Sequence, residues 1–163
     1  LLRQRLISPS ALISIGGLPG LRDLRRDGDV LRIGALATHR AVETSPLVRE
    51  TLPSLAQTFG VVGNIRVRNA ATVGGVLAEA DYASDPPAAL LALDAIVEAL
   101  GPSGMRRIPV AEFFQWFCET ALEPDEIVTG VDVPTLNIRR RIKIAPSLLD
   151  ELGKMPLRQF LIG

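Results

Sequence analysis

A glycine- and proline-rich turn between two short β-type segments is the feature that most constrains the fold of this chain. The tetrapeptide Gly-Pro-Ser-Gly at residues 101–104 separates residues 95–100 from residues 105–108. Two short segments joined by a turn of this composition are typical of a β-hairpin. Because the strands of a hairpin pair antiparallel, the fold must contain an antiparallel ladder.

Further strands are predicted where apolar and polar residues alternate, in residues 29–37 and 126–133. In the first of these segments the charge falls on one side of the alternation only. Strands come in hairpins as often as they alternate with helices along the chain. We therefore predict an α+β fold, with a mixed or antiparallel sheet flanked by helices.

Helix starts are indicated by capping residues and prolines. Thr38 is predicted to cap a short helix, Ser45 to cap a second one with Pro46 at its first position, and Pro53 to split that second helix in two. Asp85 is predicted to cap a helix that begins at Pro86, and residues 110–119 to form another helix. Residues 64–71 are expected to be irregular, and residues 76–80 to form a short strand or turn.

Composition excludes several classes of function. The 163 residues favour a single domain, and 18 basic against 18 acidic side chains give a net charge of zero, so no overall positive field attracts nucleic acid. Cys118 and His39 are the only residues of their types, whereas an iron–sulfur cluster takes about four cysteine ligands. We therefore expect any redox metal to lie outside this chain.

No membrane span is expected either. The longest apolar stretch, residues 88–100, is too short to cross a bilayer and contains Asp94 and Glu98. A single cysteine rules out an intramolecular disulfide, which suits a reducing compartment. These features predict a soluble, cytoplasmic protein.

The glycine segment, defined as Thr72, Val73, Gly74 and Gly75, is the best candidate for a ligand site. Two adjacent glycines let the backbone take positive φ and let a ligand approach closely. Successive N–H groups in such a turn can bind a pyrophosphate, and Thr72 adds a hydroxyl. An ordinary tight turn has the same composition and is the commoner outcome for these four residues alone.

Charged residues flank this segment. Asp85 and Asp81 follow it, where a carboxylate could accept hydrogen bonds from ribose hydroxyls; capping a helix is the alternative role for Asp85, and a solvated loop position is favoured for Asp81. Arg66 and Arg68 precede it and could meet phosphate or an acidic partner, although a solvated face is commoner. His39 is interpreted as a helix-end residue.

Cys118 lies among four aromatic residues between positions 113 and 117. A free cysteine in such a setting is typically a small buried or half-buried apolar residue. We therefore predict that Cys118 fills space and is not a nucleophile.

The order of these elements resembles the flavin domain of molybdenum hydroxylases, the group that includes xanthine and carbon monoxide dehydrogenases. The resemblance covers residues 32–134 and rests on RIGALATH, on NIRVRNAATVGGVLAEADYASDPPAALLALDA and on EPDEIVTGVDVP. The family shows the patterns "GA.TTH", "QIRN.GTIGGNLA" and "L.P.E.I..I.IP" in the same order. The resemblance implies the larger FAD-binding subdomain of a PCMH-type flavin domain.

That resemblance also implies a cofactor, site residues and partners. The family holds FAD at a T-x-G-G turn, which matches the glycine segment, at an acidic residue matching Asp85, and at an apolar position matching Val128. It implies electron relay from iron–sulfur clusters through FAD to NAD⁺, a quinone or oxygen. The molybdopterin and the [2Fe–2S] clusters would belong to a large and a small partner subunit.

The match is incomplete at both ends. The family's first FAD loop is expected before Leu1, so residues 1–134 are predicted to be the FAD-binding domain without that loop. Residues 135–163 form an unmatched basic tail with a helical pattern. Two alternatives stay open, a truncated remnant that binds no flavin and an assembly module that uses the basic tail with Arg66 and Arg68.

Overall fold

The computed structural model describes residues 9–81 and 83–135. The predicted tail therefore lies, apart from Thr135, outside the described residues. The described strands are β1 (Leu24–Asp27), β2 (Val30–Gly34), β3 (Ile96–Gly101), β4 (Gly104–Pro109), β5 (Phe114–Trp116), β6 (Glu119–Thr120) and β7 (Ile127–Pro134). The described helices are α1 (His39–Thr44), α2 (Pro46–Thr51), α3 (Pro53–Val61), α4 (Ile65–Ala70), α5 (Val73–Glu79), α6 (Asp85–Ala92) and α7 (Val110–Phe113).

Five strands form one sheet in the order β1-β2-β7-β3-β4, and every pair in it is antiparallel. β7, the last of the described strands, lies in the middle of the sheet. The predicted hairpin is confirmed as β3 and β4, in register from Ile96 opposite Pro109 to Gly101 opposite Gly104. Together with the flanking helices this confirms the predicted α+β fold.

The core lies between the helices and one face of this sheet. Leu31 and Ile33 on β2 and Val131 and Val133 on β7 are at most 1% exposed. Phe59 of α3, Leu77 of α5 and Leu90 of α6 are completely buried in the same cluster. Each such side chain stabilises the fold by about 1.5–3 kcal/mol relative to an exposed one.

The opposite face of the sheet carries a network of four charged residues. Arg107 contacts Glu98 at 2.7 Å and Asp132 at 2.8 Å, and Arg32 contacts Asp132 at 3.1 Å and also pairs with Glu98. The two carboxylates are only 6% and 5% exposed. The alternation in residues 29–37 indicated a charged side, but the network joins four strands and was not predicted.

The predicted helix caps at Thr38 and Ser45 are confirmed. The hydroxyl of Thr38 accepts a hydrogen bond from the N–H of Ala41 at 3.1 Å, and that of Ser45 accepts one from Val48 at 3.4 Å. Pro53 begins α3 directly after α2 has ended, so the predicted split is present.

Other local predictions were wrong. Residues 64–71 are not irregular, since Asn64 caps α4 by accepting from two backbone N–H groups. Residues 76–79 are helical rather than extended, because they continue α5, and Ala80 ends that helix in a left-handed conformation. The helix predicted for residues 110–119 ends at Phe113, and the small β5–β6 hairpin replaces the rest.

Candidate functional site

The glycine segment is the start of a helix rather than a tight turn. Thr72 has extended backbone angles and caps α5, and its hydroxyl accepts a hydrogen bond from the N–H of Gly75 at 3.1 Å. Neither Gly74 nor Gly75 has a positive φ. The expected left-handed backbone is therefore absent, and the glycines must serve another purpose.

Gly74 is required by close packing against the end of β2. A Cβ built on Gly74 would lie 2.6 Å from the Cβ of Ala35, which is nearer than real Cβ atoms approach one another. The N–H of Gly74 also donates to the carbonyl oxygen of Ala35 at 2.7 Å. Glycine is thus needed for the close approach of helix and strand.

The backbone N–H groups of this segment are used within the protein. Val73 donates to the carbonyl of Ala37 at 3.0 Å, Gly74 to Ala35, and Gly75 to the Thr72 hydroxyl. An anion cradle built from these three N–H groups, as the sequence suggested, is therefore not formed. The Thr72 hydroxyl keeps its own hydrogen to donate, because it is only an acceptor toward Gly75.

A cavity of about 300 Å³ borders the start of α5. Thr72, Gly74 and Gly75 line it together with Val128 from the beginning of β7. Among the described residues, Glu126 is the one charged residue of this lining, and the other lining residues are apolar: Ile15, Ala35, Leu36, Ala78, Leu122 and Ile127. Four residues that the sequence singled out thus meet at one concave surface of ordinary ligand-pocket size.

Gly75 is the glycine that keeps this cavity open. A Cβ on Gly75 would meet one atom outside the helix backbone within 4 Å, the Thr72 hydroxyl oxygen at 2.9 Å. The remaining space on that side is open. A ligand can therefore approach the main chain here more closely than any side chain would permit.

A second cavity of about 620 Å³ shares Thr72 and Gly75 with the first. Its other lining residues include His39, Ser84 and Glu79, together with apolar residues of the α3–α4 region. The start of α5 is thus accessible from two cavities.

The other predicted site residues are placed differently. Val73 is completely buried in the core, where it anchors α5 and lines neither cavity. Asp85 is exposed as the first residue of α6 and does not cap it through its side chain, because Ser84 occupies the N-cap. Ser84 lines the larger cavity, so Asp85 is next to the site. Its predicted contact with the cofactor stays a prediction.

His39 is the first residue of α1, which confirms the predicted helix-end position, but its side chain is buried. It is 1% exposed, packs edge-on against Phe59 with ring centroids 4.9 Å apart, and neither ring nitrogen has a hydrogen bond within the described residues. Burial lowers the pKa of His39. The neutral imidazole therefore packs on α3, and His39 borders the larger cavity.

The two arginines before the glycine segment have separate roles. Arg66 is exposed, as expected of a solvated face. Arg68 is not, since its side chain is 14% exposed and pairs with Glu43 at 2.9 Å while donating to the carbonyl of Gly63 at 3.0 Å. Arg68 thus fixes the α3–α4 connection against α1 and is not free to meet phosphate.

Cys118 was wrongly predicted to be buried or half-buried. It is exposed, with a φ of 57°, and its N–H donates to the carbonyl of Ala80 at 3.0 Å. Over residues 9–81 and 83–135, no cluster of three or more His, Cys, Asp or Glu side chains could hold a metal ion. No helix among these residues is long and apolar enough to cross a membrane.

Sequence reasoning missed Glu126 as a lining residue. It was interpreted only as the start of an alternating strand, yet its side chain is 5% exposed and borders the smaller cavity. The available signal was weak, because a glutamate before an apolar strand is common. Its cationic partner, Arg106, lies on β4 and is distant in sequence.

Residues 1–136 match the model of the FAD binding domain in molybdopterin dehydrogenase. The chain is 38% identical over 136 residues to the 6-hydroxypseudooxynicotine dehydrogenase complex subunit alpha of Paenarthrobacter nicotinovorans, covering 83% of this chain and 46% of that one. Among solved structures it resembles quinoline 2-oxidoreductase from Pseudomonas putida 86, with a TM-score of 0.80 and 30% identity over 82% of this chain and 47% of that chain.

A further solved relative is a carbon monoxide dehydrogenase from Hydrogenophaga pseudoflava, with a TM-score of 0.79 and 34% identity. This match covers 83% of the chain and 47% of the relative. The chain therefore spans about half the length of the relatives it matches. With the sequence model, the identities and the fold in agreement, the chain belongs to the family of FAD-binding domains of molybdopterin dehydrogenases.

Proposed function

We propose that this chain binds FAD at the start of α5 and serves as part of an electron-transfer component of a molybdenum hydroxylase. The observation that carries the proposal is the meeting of Thr72, Gly74, Gly75 and Val128 at one cavity. In the wider family FAD, when bound, passes electrons from iron–sulfur clusters to NAD⁺, a quinone or oxygen.

The residues present fit a flavin nucleotide. The smaller cavity is lined mainly by apolar side chains, which suit a planar aromatic ring system. Gly75 leaves the main chain open to close approach, and the Thr72 hydroxyl can donate to a phosphate or ribose oxygen. Because the N–H groups of this segment are already used, we propose that it contributes only part of the phosphate contacts.

Each residue has a defined part in this arrangement. Thr72 holds the first turn of α5 and offers its hydroxyl, while Gly74 sets the distance between α5 and β2. Val128 contributes an apolar contact from β7, and Val73 anchors the helix from the core. We assign Asp85 a contact to donor groups of the nucleotide from the neighbouring edge of the larger cavity.

We further propose partners by analogy with the relatives. A large subunit would hold molybdopterin and a small subunit the [2Fe–2S] clusters, since one cysteine is too few for a cluster. No overall charge favours a nucleic-acid partner. We propose a cytoplasmic location, and a domain formed by residues 1–134 with residues 135–163 as a separate tail.

An FAD titration of the full chain tests the proposal. We expect the flavin absorbance at about 450 nm to stay with the protein after gel filtration. Gly75→Asp should abolish binding, because it would place a carboxylate in the cavity where the nucleotide's phosphates are proposed to bind, without disturbing the core. Ser54→Asp, an exposed position on α3, makes the same charge change away from both cavities and should bind FAD normally.

Two results would contradict the proposal. A wild-type chain that takes up no FAD would favour the alternative of a remnant without flavin. Equal FAD affinity in Gly75→Asp and Ser54→Asp would move the cofactor away from the start of α5.

A further inference from the structure

The loop between β6 and β7, residues 121–126, completes the smaller cavity. Leu122 and Glu126 belong to this loop, and Ile127 and Val128 follow it directly. The position of these four residues therefore depends on how the loop is held. An irregular segment of this length has few backbone bonds of its own and needs outside support to keep one conformation.

Arg106 supplies that support from the edge strand β4. Its guanidinium donates to the Glu126 carboxylate at 2.8 Å and to the carbonyl oxygen of Ala121 at 3.4 Å, and lies 3.7 Å from the Glu123 carboxylate. One side chain thus contacts the first, third and last residues of the loop. The planar guanidinium suits such a role because its several N–H groups point in fixed directions.

Glu126 connects this contact to the rest of the loop. The same carboxylate oxygen that meets Arg106 accepts the N–H of Glu123 at 2.9 Å, and the N–H of Glu126 donates to the Glu123 carbonyl at 3.0 Å. The Glu126 side chain is 5% exposed. A Cβ on Gly101 would lie 2.8 Å from its Cγ, so the glycine at the end of β3 makes room for it.

The strand register connects Arg106 to the smaller cavity across the sheet. Arg106 is in register with Ala99, and Ala99 is in register with Val128, one of the cavity-lining residues. Arg106 has the same strand parity as the buried Ile108, so it leaves β4 on the face that carries the helices. Its neighbour Arg107 leaves on the opposite face and pairs with Glu98 and Asp132.

We propose that Arg106 is a positioning residue of the cofactor site, which it does not line itself. By holding the loop through Glu126, it keeps Leu122, Ile127 and Val128 in place against the bound flavin nucleotide. The inference rests on the proposed function, because it names a determinant of the same site.

The test compares FAD binding by the full chain with binding by Arg106→Met, Arg106→Lys and Arg107→Met. Loss of a charge-assisted hydrogen bond should raise the dissociation constant of Arg106→Met about tenfold. Arg106→Lys keeps the charge beside Glu126 but not the three-point contact, so its dissociation constant should be intermediate. Arg107→Met is the matched control. Its urea midpoint should be lower than that of the wild type, but its FAD affinity should be unchanged.

Hydrogen exchange without FAD provides a second measurement. The amides of Glu123 and Glu126 should exchange about tenfold faster in Arg106→Met. The variant lacks the charged contact with Glu126, so opening the loop costs less free energy. The same amides should be unaffected in Arg107→Met. The circular dichroism of bound FAD should change only in the Arg106 variants, which a general loss of stability would not produce.

The outcomes separate this inference from the proposed function. A wild-type chain that binds no FAD overturns both. Normal affinity and an unchanged flavin signal in Arg106→Met overturn the inference alone. If Arg106→Met fails to fold, wild-type affinity and amide exchange in Arg106→Lys overturn it.

Discussion

Gly74 in the first turn of α5 and Ala35, the residue that follows β2, lie so close together that their backbones are hydrogen-bonded. The N–H of Gly74 donates to the carbonyl of Ala35 at 2.7 Å, and an added Cβ would come within 2.6 Å of the Ala35 Cβ. Both residues line the smaller cavity. The spacing between α5 and β2 therefore sets the shape of the proposed cofactor site.

Gly74→Ala should destabilise the chain by about 1–3 kcal/mol, the usual result of forcing an extra methyl group into a close-packed contact. Urea unfolding followed by circular dichroism measures this. Gly75→Ala is the control, because its Cβ would meet only the Thr72 hydroxyl oxygen, and it should lose less. A Gly74→Ala chain as stable as wild type would show that α5 can move away from β2.

Thr72→Ala should cost about 0.5–2 kcal/mol of unfolding free energy, because the N–H of Gly75 loses its capping acceptor. FAD affinity should also fall. The N–H groups of Val73, Gly74 and Gly75 are used within the protein, so the Thr72 hydroxyl is the donor of this segment that remains for a ligand. Thr72→Ser keeps the cap and should restore both properties. An alanine variant with lower stability and normal FAD affinity would assign Thr72 a structural role alone.

Asp85→Asn tests the predicted contact of this carboxylate with the cofactor. We expect FAD to bind about threefold to tenfold more weakly, because a hydrogen bond to a neutral amide is weaker than one to a charged carboxylate. Stability should fall by less than about 1 kcal/mol, the usual contribution of an acidic residue at the start of a helix. Unchanged affinity with slightly lower stability would restrict Asp85 to its helix.

The burial of His39 makes stability depend on pH. Burial lowers the pKa of His39 from its ordinary value of 6.5, so between that value and the lower folded-state pKa the unfolded chain binds a proton that the folded chain does not. The free energy of unfolding should therefore fall as the pH drops through about 6.5.

Urea unfolding between about pH 7.5 and 5.5 checks this dependence, since carboxylates titrate lower. His39→Leu should remove the slope over this range, because the chain has no other histidine. A slope that persists in this variant would assign the pH dependence to another group.

Glu98→Ala should remove the acidic partner shared by Arg32 and Arg107. The expected cost is about 1–3 kcal/mol, below the value for a fully buried pair, because the two arginine side chains are 30% and 49% exposed. FAD affinity should not change, since the network lies on the sheet face away from the helices. Glu50→Ala, an exposed position on α2, should leave unfolding unaffected.

The features that depend on neighbours in the chain were predictable from sequence. The Gly-Pro-Ser-Gly turn indicated the β3–β4 hairpin, Thr38 and Ser45 indicated their helix starts, and the order of motifs indicated the family. Caps, turns and alternation act over a few residues, so their signal is present in a short stretch of sequence.

Contacts between distant segments were decided only by the tertiary structure. The central position of β7, the burial of Glu98 and Asp132, and the clamp of Arg106 on Glu126 each join elements that are far apart in the chain. The glycine segment shows the difference most clearly. Its sequence indicated a turn with free N–H groups, but packing against Ala35 and Ala37 made it a helix start whose N–H groups are bonded, because a donor's partner depends on which backbone lies beside it.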